Sequence, residues 1–528
     1  MIFRYLFLSA FLLCSSLIKA QTPTVGTLYN SPQSLDGYTL FGSSNSTQTY
    51  LINNCGEVIN SWVGSAPPGL SAYLLEDASL LRTMRILNSN MSMGGLGGGL
   101  ERFDWDGTLL WSYRCSGPDS TSHHDVEVLP NGNLLLLVAY AKPIGQAIAR
   151  GRDSNINNDS ILFSESILEI EPIGADSGRV VWRWNLWDHL IQDRDSTKPN
   201  YAVVSEHPER MNINYIGSST SRDWLHSNSI SYNPTLDQIA IGFRNTNEAW
   251  IIDHSTTRAE AASSSGGRYG RGGDILYRWG NPATYNRGTS ANQHFYGQHG
   301  VRWIPDSLPA SGQLIVFNNG DITGVSSVET FMPPSDSAGF YTLPTAGNAF
   351  GPTTPSWSYS NSSDPIFYSN RLSAAQRLSN GNTLICSGVN GYFLEIDSIG
   401  DAVWAYRNPA TGTGILTQGV AVNSGVNSVF SALRYSPDYP AFSGRSLVPM
   451  NPIELNYDIS HCQLYNGVEQ IEKNPVIKIY PNPIAIGQVL EIESATNINT
   501  IKIYNTQGQC VHREAVDNKT HTTVDLNN

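Results

Sequence analysis

The sequence has few charged residues and a deficit of basic ones. Charged side chains make up 15% of the 528 residues, and 32 Lys and Arg stand against 45 Asp and Glu, a net charge of −13 at pH 7. Because nucleic acids bind surfaces that are rich in Lys and Arg, this balance argues against a nucleic acid as partner. Glycine (47), tyrosine (25) and tryptophan (12) are plentiful instead. This composition is typical of β-structure with many turns.

Cysteine is also scarce, and no two cysteines form a Cys-x-x-Cys pair. The cysteines that follow the first twenty residues are Cys55, Cys115, Cys386, Cys462 and Cys510. This spacing does not predict a thiolate metal site, and we expect neither a metal nor a cofactor. One or two disulfides are possible in an oxidising compartment, but the sequence cannot pair the cysteines.

Long apolar runs are absent after the amino-terminal segment, so the sequence predicts no transmembrane helix. The first twenty residues contain Arg4, an apolar stretch over Tyr5–Leu13, and Ala20 before Gln21. This is the layout of a secretory signal peptide, which we assign to residues 1–20. The mature chain is therefore expected to be secreted or displayed at the cell surface.

A unit made of an apolar strand, a turn and a second strand that ends in tryptophan recurs along the chain. Its tryptophans are Trp62, Trp111, Trp182, Trp279, Trp357 and Trp404. In the fifth unit, we take Phe340–Leu343 as the strand before the turn. A second pattern interleaves with the first: Val126–Leu137 and Gln376–Ile385 each join two strands through Asn-Gly, a strong hairpin signal.

Six such units predict an all-β fold, a six-bladed β-propeller over residues 21–465. Scattered tryptophans in a β-sandwich are the alternative, but a sandwich would not explain the interleaved hairpins. The sequence changes character near Lys473, where short segments with period-two alternation begin. They predict a linker at 466–475 and a small β-sandwich at 476–528.

This last segment resembles the C-terminal sorting domain of the type IX secretion system of Bacteroidetes. The resemblance rests on the stretch Tyr480-Pro481-Asn482-Pro483. It implies that the type IX secretion machinery is a partner and that the cell is Gram-negative. The chain stops at Asn528, before the last strands and the basic end that such domains usually carry, so we expect either a truncated sequence or an incomplete sorting signal.

Histidines recur where the innermost strand of a blade should begin, close to the propeller axis. Counting back from the first hairpin turn of each blade selects His124, His299, Ser373 and Asn228, with His226 two residues before Asn228. A single histidine is more often structural, but three in register indicate a functional site. Arg244 ends the strand that pairs with the one after His226, and its guanidinium would supply fixed donors to an anionic group.

This set of side chains narrows the reaction class. Glycoside hydrolysis needs two facing carboxylates, which this set lacks. A phosphate-binding loop needs a glycine-rich segment before a helix. Gly94–Gly99 precedes a predicted strand instead, and we interpret it as a flexible loop. A three-histidine metal site would place a cation beside Arg244, which is unfavourable. The set suits transfer of an anionic group, in which one neutral imidazole attacks and the other groups hold oxygens.

Several segments together resemble the bacterial arylsulfotransferase family. They are Ser122–Asn133, Asp223–Ile230, Trp250–Ser255, Leu276–Pro282 and Gly297–Gly300. Members of this family are six-bladed propellers that move a sulfuryl group from an aryl sulfate to a phenol through a sulfohistidine, without a nucleotide donor. The resemblance implies that His299 is the nucleophile and that the sulfuryl group is bound by His226, Asn228, Arg244 and His124.

Two further residues complete the predicted site. Ser373 enters as a substrate-binding residue from the blade alignment alone. His123 lies beside His124, and blade register favours His124 as the residue that faces the axis. The expected small molecules are an aryl sulfate donor and a phenol acceptor. A non-catalytic ligand-binding propeller and a histidine-metal hydrolase or lyase stay open as alternatives.

Overall fold

The protein is described here by a computed structural model. The described residues are 23–156, 159–217, 222–459, 462, 478–480, 489–504 and 510–525. The chain divides into two compact units, Met1–Cys462 and Gln463–Asn528. The predicted signal peptide at 1–20 and the predicted linker at 466–475 lie outside the described residues. No helix in the described part of the chain is long and apolar enough to cross a membrane.

Six antiparallel sheets of four or five strands make up the described part of the first unit. We number them as blades 1 to 6 and give the strands of each from the inside outward. Blade 1 consists of Val429–Tyr435, Tyr38–Ser43, Gln48–Ile52 and Val58–Val63. Blade 2 consists of Pro68–Leu74, Leu80–Arg85, Gly98–Phe103 and Leu109–Arg114. Blade 3 consists of Ser120–Val128, Leu134–Pro143, Ile161–Ile173 and Ser177–Asn185. Blade 4 consists of Ser227–Asn233, Gln238–Phe243, Glu248–Asp253 and Tyr277–Trp279. Blade 5 consists of His299–Trp303, Leu314–Asn318, Ser327–Phe331 and Trp357–Tyr359. Blade 6 consists of Ala374–Arg377, Thr383–Ser387, Tyr392–Ile396, Ala402–Arg407 and Gly26–Asn30.

The first strands of the blades form a closed ring. Each first strand contacts the first strand of the next blade, and that of blade 6 contacts that of blade 1. They therefore surround a common axis, and the prediction of an all-β propeller is confirmed. Blade 1 takes its first strand from Val429–Tyr435 and the others from residues 38–63, so a strand from the end of the unit closes the ring.

Short elements connect the blades. Ile144–Ala149 is an α-helix. The 3₁₀ turns are Ser89–Met91, Leu186–Asp188, Val204–Glu206, Glu260–Ala262, Pro282–Tyr285, Ser290–Asn292, Gly388–Asn390 and Pro440–Phe442. Two small ladders pair Leu190–Ile191 with Met211–Asn212 and Ala410–Thr411 with Gly414–Ile415.

The recurrent tryptophans connect neighbouring blades. The indole Nε1 of Trp62 in blade 1 donates to the carbonyl of Asp104 in blade 2 at 2.8 Å. That of Trp404 in blade 6 donates to the carbonyl of Asn54 in blade 1 at 2.8 Å. Tryptophan suits this position because it fills the gap between two sheets and carries one donor for a turn carbonyl of the next blade.

One strand of the repeat was assigned wrongly from the sequence. The strand before Trp357 in blade 5 is Ser327–Phe331, not Phe340–Leu343. The apolar character of the latter segment serves packing, because Tyr341 stacks on Tyr277 with ring centroids 5.3 Å apart and is buried. The segment is thus a loop that covers blade 4.

A disulfide joins Cys55 to Cys462, which are 407 residues apart. Cys55 lies in blade 1 between the strands Gln48–Ile52 and Val58–Val63, so the bond ties the end of the first unit to the blade that closes the ring. Cys115 and Cys386 are free thiols. A crosslink over so long a loop stabilises the fold chiefly by restricting the unfolded chain.

The second unit contains one three-stranded antiparallel sheet in its described residues. Its strands are Lys478–Tyr480, Val489–Tyr504 and Cys510–Asp525, with Val489–Tyr504 in the middle. The remainder of the motif that begins at Tyr480 lies outside the described residues. A sandwich needs a second sheet, so the sandwich arrangement stays a prediction.

His254 connects blades 3 and 4 through a half-buried ionic contact and makes stability depend on pH. Its Nδ1 lies 2.7 Å from Asp237 and its Nε2 lies 3.3 Å from Glu169. Burial alone would lower the pKa of His254, but the hydrogen bonds and charges of the two carboxylates raise it from 6.5 to about 9. Because the folded pKa is the higher one, the protonated contact stabilises the fold fully below pH 6.5 and is lost as the pH rises through 9.

We therefore expect His254→Gln to destabilise the protein by about 2–3 kcal/mol at pH 6 and by much less at pH 10. The measurement is urea unfolding of both proteins at several pH values. His207→Gln is the matched control, since that imidazole also contacts a carboxylate but is 41% exposed. A stability difference that stays constant from pH 6 to pH 10 would contradict this role of His254.

Candidate active site

Three imidazoles meet at the first strands of blades 3, 4 and 5: His124 lies within its strand, His226 directly precedes its strand, and His299 begins its strand. The rings of His124 and His226 are in edge contact, with centroids 4.7 Å apart. Phe430 of blade 1 lies 6.0 Å from His124 and 6.4 Å from His299 by ring centroids. His124 and His299 are each 2% exposed. Four blades thus contribute to one cluster at the axis.

The backbone is unusual at two of these histidines. His124 has φ 55° and His226 has φ 56°, which lie in the left-handed region that residues with a β-carbon rarely adopt. Such conformations cost on the order of 1 kcal/mol and persist only where the surrounding structure holds them. In both blades the strand register shifts at this residue or directly after it. The positive φ and the register shift together orient both imidazoles.

Hydrogen bonds fix which nitrogen of His299 carries the proton. Its Nδ1 lies 2.9 Å from the carbonyl of Gly297 and 2.7 Å from Oδ1 of Asn319. The amide of Asn319 cannot be reversed, because its Nδ2 donates to the carbonyls of Ser369 and Leu372. Both neighbours of Nδ1 are therefore acceptors. The proton must lie on Nδ1, and Nε2 keeps its lone pair.

His299 is also neutral at physiological pH. Burial, and next the charge of Arg244, lower its pKa to about 3, although the hydrogen bond to Asn319 acts in the opposite direction. A neutral imidazole with a lone pair on a defined nitrogen is the form that a nucleophile requires. His299 combines both properties.

His226 is backed by a carboxylate. Its Nδ1 lies 2.7 Å from Oδ2 of Asp223, and its side chain is 11% exposed. Burial raises the pKa of Asp223, but the charge and the hydrogen bond of His226 more than compensate and lower it. A carboxylate that accepts from Nδ1 orients the ring, as in acid–base dyads, and leaves Nε2 as the nitrogen of His226 that can face a substrate.

His123 and His124 point to different surroundings. His124 contacts His226, as blade register predicts. His123 is buried, with Nε2 at 3.0 Å from Glu165 and Nδ1 at 3.0 Å from Nδ1 of His124. Both ring nitrogens of His123 are thus engaged by protein groups. The structure gives no support to a direct substrate contact by His123, which stays a prediction.

Arg244 is held beside the imidazoles by an ion pair. Its Nη2 lies 2.8 Å from Oδ2 of Asp321, and its backbone amide donates to the carbonyl of His226 at 3.0 Å. The Arg244 side chain is 24% exposed. Its charge contributes to the lowered pKa values of both His124 and His299, so the guanidinium belongs to the same cluster.

The two other predicted binding residues make contacts within the protein. Nδ2 of Asn228 donates to the carbonyl of Gln298 at 2.6 Å, which connects blade 4 to the residue before His299. The Ser373 hydroxyl donates to Ser369 at 2.9 Å and accepts from the amide of Gly388 at 2.9 Å. Substrate contacts by Asn228 and Ser373 stay predictions.

The glycine-rich segment is part of the site rather than only a flexible loop. Gly98 and Gly99 already belong to a strand of blade 2. A β-carbon on Gly95, whose φ is +66°, would lie 2.0 Å from Nε2 of His124, and one on Gly94 would lie 2.7 Å from Cε1 of His226. The backbone of this segment therefore packs directly on two imidazoles, which only glycine permits.

Further along the first strands from the imidazoles, hydrogen bonds between polar side chains connect blades 2, 3 and 5. The Tyr73 hydroxyl of blade 2 donates to Asp125 of blade 3 at 2.6 Å and accepts from Arg302 of blade 5 at 2.6 Å. A cavity opens at the far ends of the first strands and is lined in part by Glu127, Arg302 and Tyr435. It lies at the opposite end of the strands from the histidines.

Residues that the sequence does not predict hold the predicted ones in place. They are Asp223, Asn319, Asp321 and Glu165, each in contact with a predicted site residue. A signal existed for Asn319, because it directly follows the second strand of blade 5 as Arg244 follows the second strand of blade 4. The described residues contain no group of three or more His, Cys, Asp or Glu arranged to hold a metal ion.

Comparison with known proteins identifies families for both units. The model of the arylsulfotransferase (ASST) family matches residues 44–411. The model of a secretion system C-terminal sorting domain matches residues 478–528. The first match contains the segments that carry the imidazoles and Arg244, and the second contains the described sheet of unit 2.

Individual relatives are more distant. Arylsulfate sulfotransferase AssT of Escherichia coli O6:H1 (strain CFT073) is 27% identical over 241 residues, 42% of this chain and 37% of that protein. The match thus spans little more than a third of that relative.

Two solved structures are also similar. The β-propeller domain of Cps50 (Swd1) from Myceliophteria thermophila is 12% identical with a TM-score of 0.37, over 72% of this chain and 85% of that one. A protein of unknown function from Bacteroides caccae is 12% identical with a TM-score of 0.38, over 71% and 94%. The family model, by contrast, covers more than half of the chain, and this protein therefore belongs to the arylsulfotransferase family.

Proposed function

We propose that the protein transfers a sulfuryl group from an aryl sulfate to a phenol, without a nucleotide donor, through a covalent intermediate on His299. The observation that carries this proposal is the state of His299, whose Nδ1 is bound by two acceptors and which is neutral because of burial and Arg244. Family membership supports the reaction class.

In the first half-reaction, the Nε2 lone pair of His299 attacks the sulfur of the aryl sulfate. The S–N bond forms while the bond from sulfur to the phenolic oxygen breaks. The departing phenolate takes a proton from Nε2 of His226, whose ring is oriented by the contact of Nδ1 with Asp223. Because an unactivated phenol has a pKa of about 10, proton donation makes it a better leaving group.

The second half-reaction reverses these steps with a different phenol. The acceptor gives its proton to His226, and its oxygen attacks the sulfur. The S–N bond breaks, and the electron pair returns to Nε2 of His299. The three sulfuryl oxygens carry negative charge throughout both transfers, so the Arg244 guanidinium and the His124 imidazole would bind and stabilise the group electrostatically, as in phosphoryl transfer.

The second unit supports export. Its match to a sorting domain agrees with a route that starts with the predicted signal peptide and continues through the type IX machinery to the cell surface. A phenol sulfotransferase there would act on small molecules outside the cell.

The purified protein, incubated with nitrophenyl sulfate, tests the proposal. We expect nitrophenolate release that depends on added phenol, formation of phenyl sulfate, and one sulfuryl adduct on His299 by mass spectrometry when phenol is omitted. Release that is independent of phenol and yields inorganic sulfate would indicate hydrolysis instead. Loss of activity in a chelator would favour a metal-dependent enzyme, and binding without turnover would favour a non-catalytic propeller.

A further inference from the structure

A buried chain of groups leads away from Nδ1 of His124. Nδ1 of His124 lies 3.0 Å from Nδ1 of His123, and Nε2 of His123 lies 3.0 Å from Oε2 of Glu165. The side chains of His123 and Glu165 are 0% and 3% exposed. The mechanism above uses neither His123 nor Glu165.

Glu165 acts as an acceptor in all of its contacts. Its Oε1 accepts from the amide of Ser227 at 3.1 Å, and its Oε2 accepts from the hydroxyl of Ser227 at 2.7 Å. Since a carboxylate has no proton to give, Nε2 of His123 must donate to it. A second carboxylate is close, because the charge of His123 also acts on Asp223. The charged and titratable groups around His123 are thus Glu165, Asp223 and His124.

Only one proton can lie between the two Nδ1 atoms. If it belongs to His124, then Nε2 of His124 presents a lone pair to the site, which would repel a sulfuryl oxygen. If it belongs to His123, that ring is protonated on both nitrogens and is positively charged, and Nε2 of His124 carries a proton that it can donate. Burial and the charges of His226 and His123 lower the pKa of His124 well below its usual value, so His124 itself holds a single proton.

We propose that the His123–Glu165 pair positions the proton of His124. In this arrangement His123 carries a proton on both ring nitrogens, Glu165 is its counter-ion, and His124 is held with its proton on Nε2 so that it can donate to an anionic oxygen. His123 and Glu165 are positioning residues, since they act through His124. Both the choice of this proton arrangement and the use of the donor for a sulfuryl oxygen rest on the proposed function, but the proton arrangement can be measured without any turnover.

The proton arrangement can be observed directly by nitrogen NMR of the full-length protein with isotope-labelled histidine at pH 7. We expect the wild type to show both nitrogens of His123 protonated and only Nε2 of His124 protonated. In Glu165→Gln, the amide donates to Nε2 of His123, which then loses its charge but keeps its Nδ1 proton, so the signals of His124 stay as in the wild type. In Glu165→Leu, the counter-ion and the partner are both lost, and His124 shows a mixture of the two proton positions.

The proton arrangement also predicts a change in the binding of the aryl sulfate. Loss of a hydrogen-bond donor that contacts the ground state and the transition state equally raises KM more than it lowers kcat. We expect Glu165→Leu to raise the KM for nitrophenyl sulfate about tenfold or more, because a hydrogen bond to a charged group is weakened. Glu165→Gln should stay within about threefold of the wild type.

The matched control is Asp274→Leu at a second buried pair, where Asp274 lies 2.7 Å from Nδ1 of His189. It should lower the unfolding midpoint and change neither the His124 signals nor the KM. The inference is overturned if wild-type His124 carries its proton on Nδ1, or if Glu165→Leu leaves both the His124 signals and the KM unchanged. If no variant transfers sulfuryl groups at all, the proposed function fails, and the NMR result still decides the proton arrangement.

Discussion

Replacing His299 with asparagine is expected to lower sulfuryl transfer by about four orders of magnitude or more, because the attacking lone pair is removed. Asparagine occupies a similar volume, so the buried site stays filled. The measurement is phenol-dependent nitrophenolate release together with the intact mass of the protein after incubation with donor alone. The wild type should gain the mass of one sulfuryl group, and His299→Asn should gain none.

A control variant tests whether the loss of activity is specific to His299 or follows from removing any histidine. His207→Asn removes an exposed histidine that contacts Glu209 and should leave both the rate and the adduct unchanged. If His299→Asn still accumulates a sulfuryl adduct, the nucleophile is another residue. If it keeps its rate without an adduct, the transfer is direct and the covalent intermediate is excluded.

Arg244→Ala is expected to lower kcat/KM about a hundredfold or more, the usual cost of removing one fixed donor to a developing negative charge. The substitution should also change the pH dependence. The charge of Arg244 is, after burial, the largest cause of the low pKa of His299. Without it that pKa rises from about 3, and because His299 must be neutral to attack, the acidic limb of the kcat/KM profile moves to higher pH.

Arg244→Lys distinguishes the effect of the positive charge from the effect of the planar guanidinium. Lysine keeps the positive charge but lacks the planar fork, so the acidic limb should stay near that of the wild type while kcat/KM falls. The kcat/KM profiles of the three proteins between pH 4 and pH 8 provide the measurement. A rate for Arg244→Ala within about threefold of the wild type would show that Arg244 does not contact the transferring group.

The sequence predicted features that repeat locally. Tryptophans at strand ends and Asn-Gly turns predict hairpins, because turn chemistry and strand periodicity depend on few neighbouring residues. The same regularity brings His124, His226 and His299 into one cluster, since equivalent positions of successive blades face the same axis. Phe340–Leu343 was misassigned because an apolar segment that covers a neighbouring blade has the composition of a strand.

The supporting contacts of Glu165 and Asn319 could not be predicted, because they join segments that are distant in sequence. Glu165 contacts His123 on its own blade and Ser227 on the next, and Asn319 contacts loop carbonyls in front of blade 6. Their positions depend on how closely adjacent sheets pack. The Cys55–Cys462 bond is of the same kind, since its pairing follows only from the closure of the ring.

Ring closure also decides when the cluster of imidazoles is complete. Phe430, the ring next to His124 and His299, is supplied by the strand Val429–Tyr435, which follows all three imidazoles in the sequence. That strand pairs with Tyr38–Ser43 from the beginning of the unit. The aromatic neighbour that His124 and His299 share is therefore in place only when both ends of the unit have met, so a chain cut before Val429 would keep the histidines and lose this wall of the cluster.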